Sequence, residues 1–284
     1  MSHPRIYVSD YAGYCWGVER ALKVAHEAAE HAEKPVKTLG PLIHNPAVIE
    51  ELVSRGVDLV ESVESVDGGT VIIRSHGIPQ ADKDMLDASD AQIVDATCTF
   101  VKAAQEKAAR LRDQGYLVIV LGEPSHPEVL GIRSYAGPDS LVVQGPEDLP
   151  KRLPRSKVGV VVQTTQPRTR LSALVAELAL RTRELLVCNT ICNATHRRQR
   201  AAVETAESVD LVLVIGGRNS GNTTRLSELC AEVQPKTYHI ESAEEIQDEW
   251  LEDVASVGVT AGASTPADQI GAVLARLEGM GGIR

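Results

Sequence analysis

Three times along the chain an apolar run ends in a short polar turn, a cysteine follows, and an amphipathic helical period begins. The segments are IYVSDYAGYC before WGVERALKVAHEAA, QIVDATC before TFVKAAQEKAARL, and LLVCNTIC before NATHRRQRAAVETA. Cys15, Cys98 and Cys192 thus stand in matching contexts, 83 (98 − 15) and 94 (192 − 98) positions apart. Such a recurrence implies three equivalent α/β units, each presenting a cysteine at a helix start. Packed around a common axis, the units would bring the three sulfurs together.

The rest of the chain keeps the same rhythm. RIYVSD, TVIIRS, AQIVDAT, YLVIVLG, VGVVVQ, ELLVCNT, DLVLVIGG and VASVGVTAG read as short buried strands. Apolar positions recurring at three and four residues predict helices over 18–32, 46–55, 100–114, 171–183, 197–207, 224–232 and 267–277. Alternation of this kind builds parallel sheets. Aromatic residues are only 3% and Phe100 is the sole phenylalanine, so the core falls to Val, Leu, Ile and Ala, as parallel strands covered on both faces require. The expected fold is α/β with parallel-sheet cores. A first unit covers 16–97, a second 98–188, and a third 189–284, completed by the N-terminal strand within 1–15.

A net charge of −10 argues against nucleic acid or an anionic membrane surface as a partner, because both select for clustered Lys and Arg. No 18-residue apolar stretch occurs, and MSHPRIYVSD lacks the basic and apolar regions of a signal peptide, which points to the cytoplasm. In that setting five cysteines do not form a disulfide scaffold. Packing, nucleophilic catalysis and metal ligation remain. A helix N-terminus favours thiolate and an anionic centre. Three thiolates would leave one iron of a [4Fe-4S] cluster open, whereas structural zinc takes four ligands, usually with close CxxC pairs that are missing here. Cys188 lies inside a strand pattern and Cys230 inside a helix pattern, so both read as core.

Ligands of parallel α/β sheets bind outside the carboxyl ends of the strands. The residues there are Ser75-His76-Gly77, Ser125-His126-Pro127-Glu128, Gln163-Thr164-Thr165, Asn219 to Thr223 and Gly262 to Thr265, with His44 in the comparable loop GPLIHNP. Hydroxyls, amides, imidazoles and N–H groups at helix starts are donors for phosphate oxygens. Helix capping is the competing explanation for each loop taken singly. No Walker or G-x-G-x-x-G motif is present. His3, His26, His31, His196 and His239 lack a strand-end setting and read as solvated. Glu128, at a helix start, either satisfies the helix dipole or delivers a proton.

These residues together resemble the 4-hydroxy-3-methylbut-2-enyl diphosphate reductase family over nearly the whole chain. The motifs run in order: GYCWGVERA at Cys15, TLGPLIHNP at His44, RSHGIPQ at His76, VDATC at Cys98, SHPEV at His126 and Glu128, QTT at Thr164, TICNAT at Cys192, NSGNTTRL at Ser220 to Leu226, and VTAGAST at Ser264. The resemblance implies a clover of three α/β domains about a pseudo-threefold axis with a central [4Fe-4S] cluster on Cys15, Cys98 and Cys192. It implies that His44, His76, His126, Ser220, Gly221, Asn222 and Ser264 surround the diphosphate, that Glu128 gives the proton, and that Thr164 holds the substrate hydroxyl. The hydroxyl at C4 would approach the open iron, two electrons would enter singly, and water would leave. A ferredoxin or flavodoxin would be the electron donor, since no flavin or nicotinamide fingerprint is present. Gly221 departs from the family by replacing a second serine, and Thr99 by replacing a proline after the second cysteine. A lyase using the open iron as Lewis acid and an iron–sulfur sensor of a phosphorylated metabolite are the alternatives.

Overall fold

The computed structural model describes residues 4–283. In chain order the elements are β1 (Arg5–Val8), α1 (Trp16–His31), β2 (Val36–Leu39), α2 (Pro46–Ser54), β3 (Val57–Val60), β4 (Thr70–Ile73), α3 (Gln80–Asp87), β5 (Gln92–Asp95) and α4 (Thr99–Asp113). There follow β6 (Leu117–Leu121), α5 (Pro127–Ala136), β7 (Leu141–Val143), β8 (Lys157–Val162), α6 (Arg168–Arg181), β9 (Glu184–Cys188) and α7 (Asn193–Ala206). The last five are β10 (Leu211–Ile215), α8 (Gly221–Val233), β11 (Thr237–Ile240), β12 (Ser256–Ala261) and α9 (Ala267–Gly279).

The strands form three four-stranded sheets, ordered β3-β2-β4-β5, β7-β6-β8-β9 and β11-β10-β12-β1, and every pairing is parallel. The expected α/β architecture with three parallel-sheet cores is what the chain adopts. In each sheet the second strand leads through a helix to an edge strand, and the chain then returns to the third position. In the sheets of β2 and β6 it passes through another helix to the fourth strand, whereas in the sheet of β10 the fourth position is filled by β1, which precedes the other three strands in sequence. That fourth strand, β5, β9 or β1, is the one after which a cysteine opens a helix.

The sheet containing β1 belongs to a compact unit made of the chain up to Trp16, His44–Pro46 and the stretch from Asn193 onward; the other two sheets belong to a unit of Gly17–Ile43 and Ala47–Cys192. In the first unit, Leu211, Leu213, Ile215, Val257 and Val259 pack against Val273, Leu274 and Leu277 of α9. The opposite face sets Val212 and Val214 against Ala202, Ala206, Leu226 and Cys230 of α7 and α8. In the second unit, Leu117, Ile119 and Val160 face Leu174 and Leu178 of α6, while Val118, Val120 and Val161 face Ala104, Ala108 and Leu111 of α4. The central strands are buried on both faces, which accounts for their unbroken runs of Val, Leu and Ile.

The helical periodicity finds neither α3 nor the body of α5. In α3 (QADKDMLD) the one buried residue is Leu86, and in α5 Gly131 interrupts the apolar series. The short strands β2, β3, β7 and β11 also escape it. The last three are edge strands with partly exposed side chains, and β2 is interrupted by Lys37 and Thr38.

Candidate active site

All three cysteines sit at a helix start, and all three are fixed by the same backbone contact. The Cys98 N–H donates to the Ser75 carbonyl at 2.9 Å, that of Cys192 to the Thr164 carbonyl at 3.1 Å, and that of Cys15 to the Ala263 carbonyl at 3.3 Å. Ser75, Thr164 and Ala263 each stand at the second position after β4, β8 and β12, the third strand of their sheets. The recurrence seen in the sequence is therefore a recurrence of hydrogen bonding. None of the five cysteines is in a disulfide, and Cys15, Cys98, Cys188 and Cys192 are half-buried. Cys230 is fully enclosed, and burial pushes its thiol up to about 12. Cys188 packs against the core beneath α4 and α5.

In the second unit the third-strand loops meet the start of α5. His126 caps that helix, its Nδ1 accepting from the Glu128 N–H at 3.1 Å, which leaves the proton of the neutral ring on Nε2. The rings of His76 and His126 lie edge to face with centroids 5.5 Å apart. Glu128 is 2% exposed. Burial raises its pKa from 4.5 to about 7, and two hydrogen bonds from Thr164 act in the opposite sense. Proton delivery, one of two readings open to the sequence, suits a buried acid that titrates near neutrality; an exposed dipole-satisfying carboxylate would stay ionised.

Helix α4, which opens at Thr99 after Cys98, also reaches this region. Its buried Gln105 sends Nε2 into a notch between two glycines: a Cβ built on Gly77 would lie 2.7 Å from that nitrogen, and one on Gly131 2.9 Å from it. Gly77 has φ +70, so side chains are disfavoured there on conformational grounds too. Gln105 is a packing residue that sequence patterning does not reveal, because it occupies an otherwise apolar helical stripe.

In the first unit, the loops before α2 and α9 are tied to one another. Ser264 donates from Oγ to the His44 carbonyl at 3.2 Å, and Asn45 donates from Nδ2 to the Ser264 carbonyl at 3.0 Å. Ser220 caps α8, accepting from the Thr223 N–H at 3.4 Å. Asn222, in the first turn of α8, is buried, yet its Nδ2 has no hydrogen-bond partner among the described residues. A buried amide without a partner costs about 1–3 kcal/mol, and a bound acceptor would relieve it. Gly221 opens α8 and is not among the glycines with positive φ, so its backbone would accept serine. Asn45 is a residue that sequence analysis overlooks, although its place beside His44 in HNP is a usable signal.

Some expectations need correction. Ser125 and Asn219 are exposed, away from the buried polar side chains of their loops. Of the histidines read as solvated, only His31 is exposed; His26, His196 and His239 are half-buried, the last holding the Gly216 carbonyl at 2.8 Å, and His3 lies outside the described residues. Helix α7 begins at Asn193, directly after Cys192, whereas periodicity alone starts it at Arg197. Its first turn, NATH, is polar and carries no apolar signal. Among the described residues no helix is long and apolar enough to cross a membrane.

Three parallel α/β sheets, a cysteine at each of three helix starts and an acid buried in the first turn of α5 give this chain the make-up of an α/β enzyme. The chain belongs to the LytB protein family, whose model matches residues 6–278. It is 48% identical over 273 residues to the 4-hydroxy-3-methylbut-2-enyl diphosphate reductase of Pelobacter propionicus, covering 96% of this chain and 97% of that one. It is 49% identical over 275 residues to the reductase of the same name from Geobacter sulfurreducens, covering 96% of each. Among solved structures it is similar to an (E)-4-hydroxy-3-methyl-but-2-enyl diphosphate reductase described as the terminal enzyme of the non-mevalonate pathway. That match has a TM-score of 0.72 at 43% identity and covers 98% of this chain and 100% of the other. The resemblance drawn from the motifs thus holds across the chain.

Proposed function

We propose that this chain reduces (E)-4-hydroxy-3-methylbut-2-enyl diphosphate to isopentenyl diphosphate and dimethylallyl diphosphate. Each turnover takes two electrons and two protons. The C4–O bond breaks, the oxygen leaves as water, and a C–H bond forms at one end or the other of the allyl unit. The observation that carries the reading is Glu128, an enclosed acid poised to about 7 and gripped by Thr164, whose carbonyl also anchors Cys192.

Cys15, Cys98 and Cys192 are the residues that would hold a [4Fe-4S] cluster. Their chemistry suits it: three thiols outside disulfides, each at a helix start whose positive dipole end suits an anionic centre. Bound there, the cluster would supply single electrons and one iron with an open position. His44, His76, His126, Ser220, Gly221, Asn222 and Ser264 would hold the diphosphate, with the buried Nδ2 of Asn222 supplying a donor that lacks a protein partner. Thr164 would orient the substrate hydroxyl, and Glu128 would release its proton toward the leaving oxygen through the Thr164 hydroxyl. A ferredoxin or flavodoxin would supply the electrons, and a reducing cytoplasm would keep the thiols reduced.

The test is anaerobic purification and reconstitution, followed by turnover of the diphosphate with a strong one-electron donor. The loaded protein should contain about four irons per chain, the count of a [4Fe-4S] centre, and release both products. Equal turnover by the iron-free protein would sink the proposal.

A further inference from the structure

Two of the three cysteine-bearing turns are held by an arginine from the helix that begins at a different cysteine. Arg198, in the second turn of α7 after Cys192, is 2% exposed. It donates from Nε to the Tyr11 carbonyl at 2.9 Å and from Nη2 to the Gly13 carbonyl at 2.7 Å. These carbonyls belong to the turn that ends at Cys15. Arg20, in the second turn of α1 after Cys15, donates from Nη1 to the Thr97 carbonyl at 3.1 Å and from Nη2 to the Asp95 carbonyl at 3.3 Å. That turn ends at Cys98. In α4 the corresponding positions are Ala103 and Ala104, and the Cys192 turn is secured within its own sheet, where the Thr190 hydroxyl accepts from the Val162 N–H at 2.8 Å.

The Cys15 turn needs such a restraint. Tyr11 has φ 63 and Gly13 φ 93, and a tyrosine in the left-handed region persists only where its surroundings impose it. The fork of a planar guanidinium can engage two carbonyls in one chain segment at once; an ammonium is a single point charge and cannot match it.

We infer that Arg20 and Arg198 are positioning residues for the thiols that receive the cluster. Each passes the order of one cysteine's helix to the next cysteine's turn, from Cys192 to Cys15 and from Cys15 to Cys98. The guanidinium also brings permanent positive charge into the turn, which favours the more reduced, more negative state of a centre held there. This inference rests on the ligand assignment proposed above.

The test compares anaerobically reconstituted wild type with Arg20→Lys, Arg20→Gln and Arg198→Lys. Arg200→Gln, on the exposed part of α7 where Arg200 pairs with Glu204, is the control. Iron release to bathophenanthroline should be about tenfold faster from the Arg20 and Arg198 variants, the lower end of what outer-shell changes do to metal affinity, and unchanged in the control. The reduction potential should fall in Arg20→Gln and recover in Arg20→Lys, a split that loosened packing alone does not produce. Wild-type iron release and potential in a loaded Arg20→Gln would overturn the inference. If Arg198→Lys does not fold, the half-buried Arg20 decides. Failure of wild type to take up a cluster would instead overturn the ligand assignment.

Discussion

Thr164 grips both oxygens of Glu128, its N–H donating to Oε1 at 2.6 Å and its hydroxyl to Oε2 at 3.0 Å. When the acid is protonated the hydroxyl can accept in place of donating, so the same contact serves either charge state. Because the Thr164 carbonyl also receives the Cys192 N–H, the acid and a cysteine share one support.

In the proposed role of Glu128 as proton donor its acid form is the active one, so turnover should decline as pH rises through about 7. Glu128→Gln should remove that limb and reduce the rate by roughly 10²–10⁴-fold, the range for general acids. A pH–rate profile of the variant that keeps the wild-type inflection would exclude Glu128 as the proton source.

The same shift has a consequence for stability. The folded value, about 7, lies above the ordinary 4.5, so between those limits the folded chain holds a proton that the unfolded chain has lost. Stability from this group is complete below pH 4.5 and disappears as pH rises to about 7, a loss on the order of 3 kcal/mol at ~1.4 kcal/mol per unit. Denaturant melts at several pH values should show a shallower decline for Glu128→Gln across that window.

Thr164→Val removes a hydrogen bond that lowers the Glu128 pKa and retains the one from the backbone. The alkaline limb should therefore move to higher pH while kcat falls, and Thr164→Ser should restore both. An unmoved limb in the valine variant would show that the hydroxyl does not couple to the acid.

Asn222 and Ser220 should separate binding from folding. Ser220 caps α8, so Ser220→Ala should cost about 1 kcal/mol of stability. The amide nitrogen of Asn222 bonds to nothing among the described residues, so Asn222→Ala should raise KM for the diphosphate with little change in Tm. Equal loss of Tm in the two variants would contradict the assignment.

Much of this arrangement is legible in sequence because central parallel strands must be continuously apolar, and because the cysteine turns repeat. Glu128 could be singled out but not decided, since its enclosure depends on α5 meeting the Thr164 loop, and α5 has little periodicity of its own. Edge strands such as β3 and β11 carry too few buried residues to be heard. Arg20 and Arg198 look like ordinary charged helix residues, and the carbonyls they seek are far away in sequence. Contacts between a side chain and a distant backbone oxygen leave no mark on composition or spacing.

Strand β1 takes its place beside β12, its partner from the far end of the sequence, and the Cys15 turn leans on Ala263 and Arg198. On the ribosome, Arg5–Val8 must wait for Ser256–Ala261 before it has a strand to pair with, and pairing across so long a loop is slow. The Cys98 and Cys192 turns depend only on residues synthesised before them or close by. The nascent chain therefore completes its Cys98 and Cys192 turns before its Cys15 turn, which waits until Ala263 has been made.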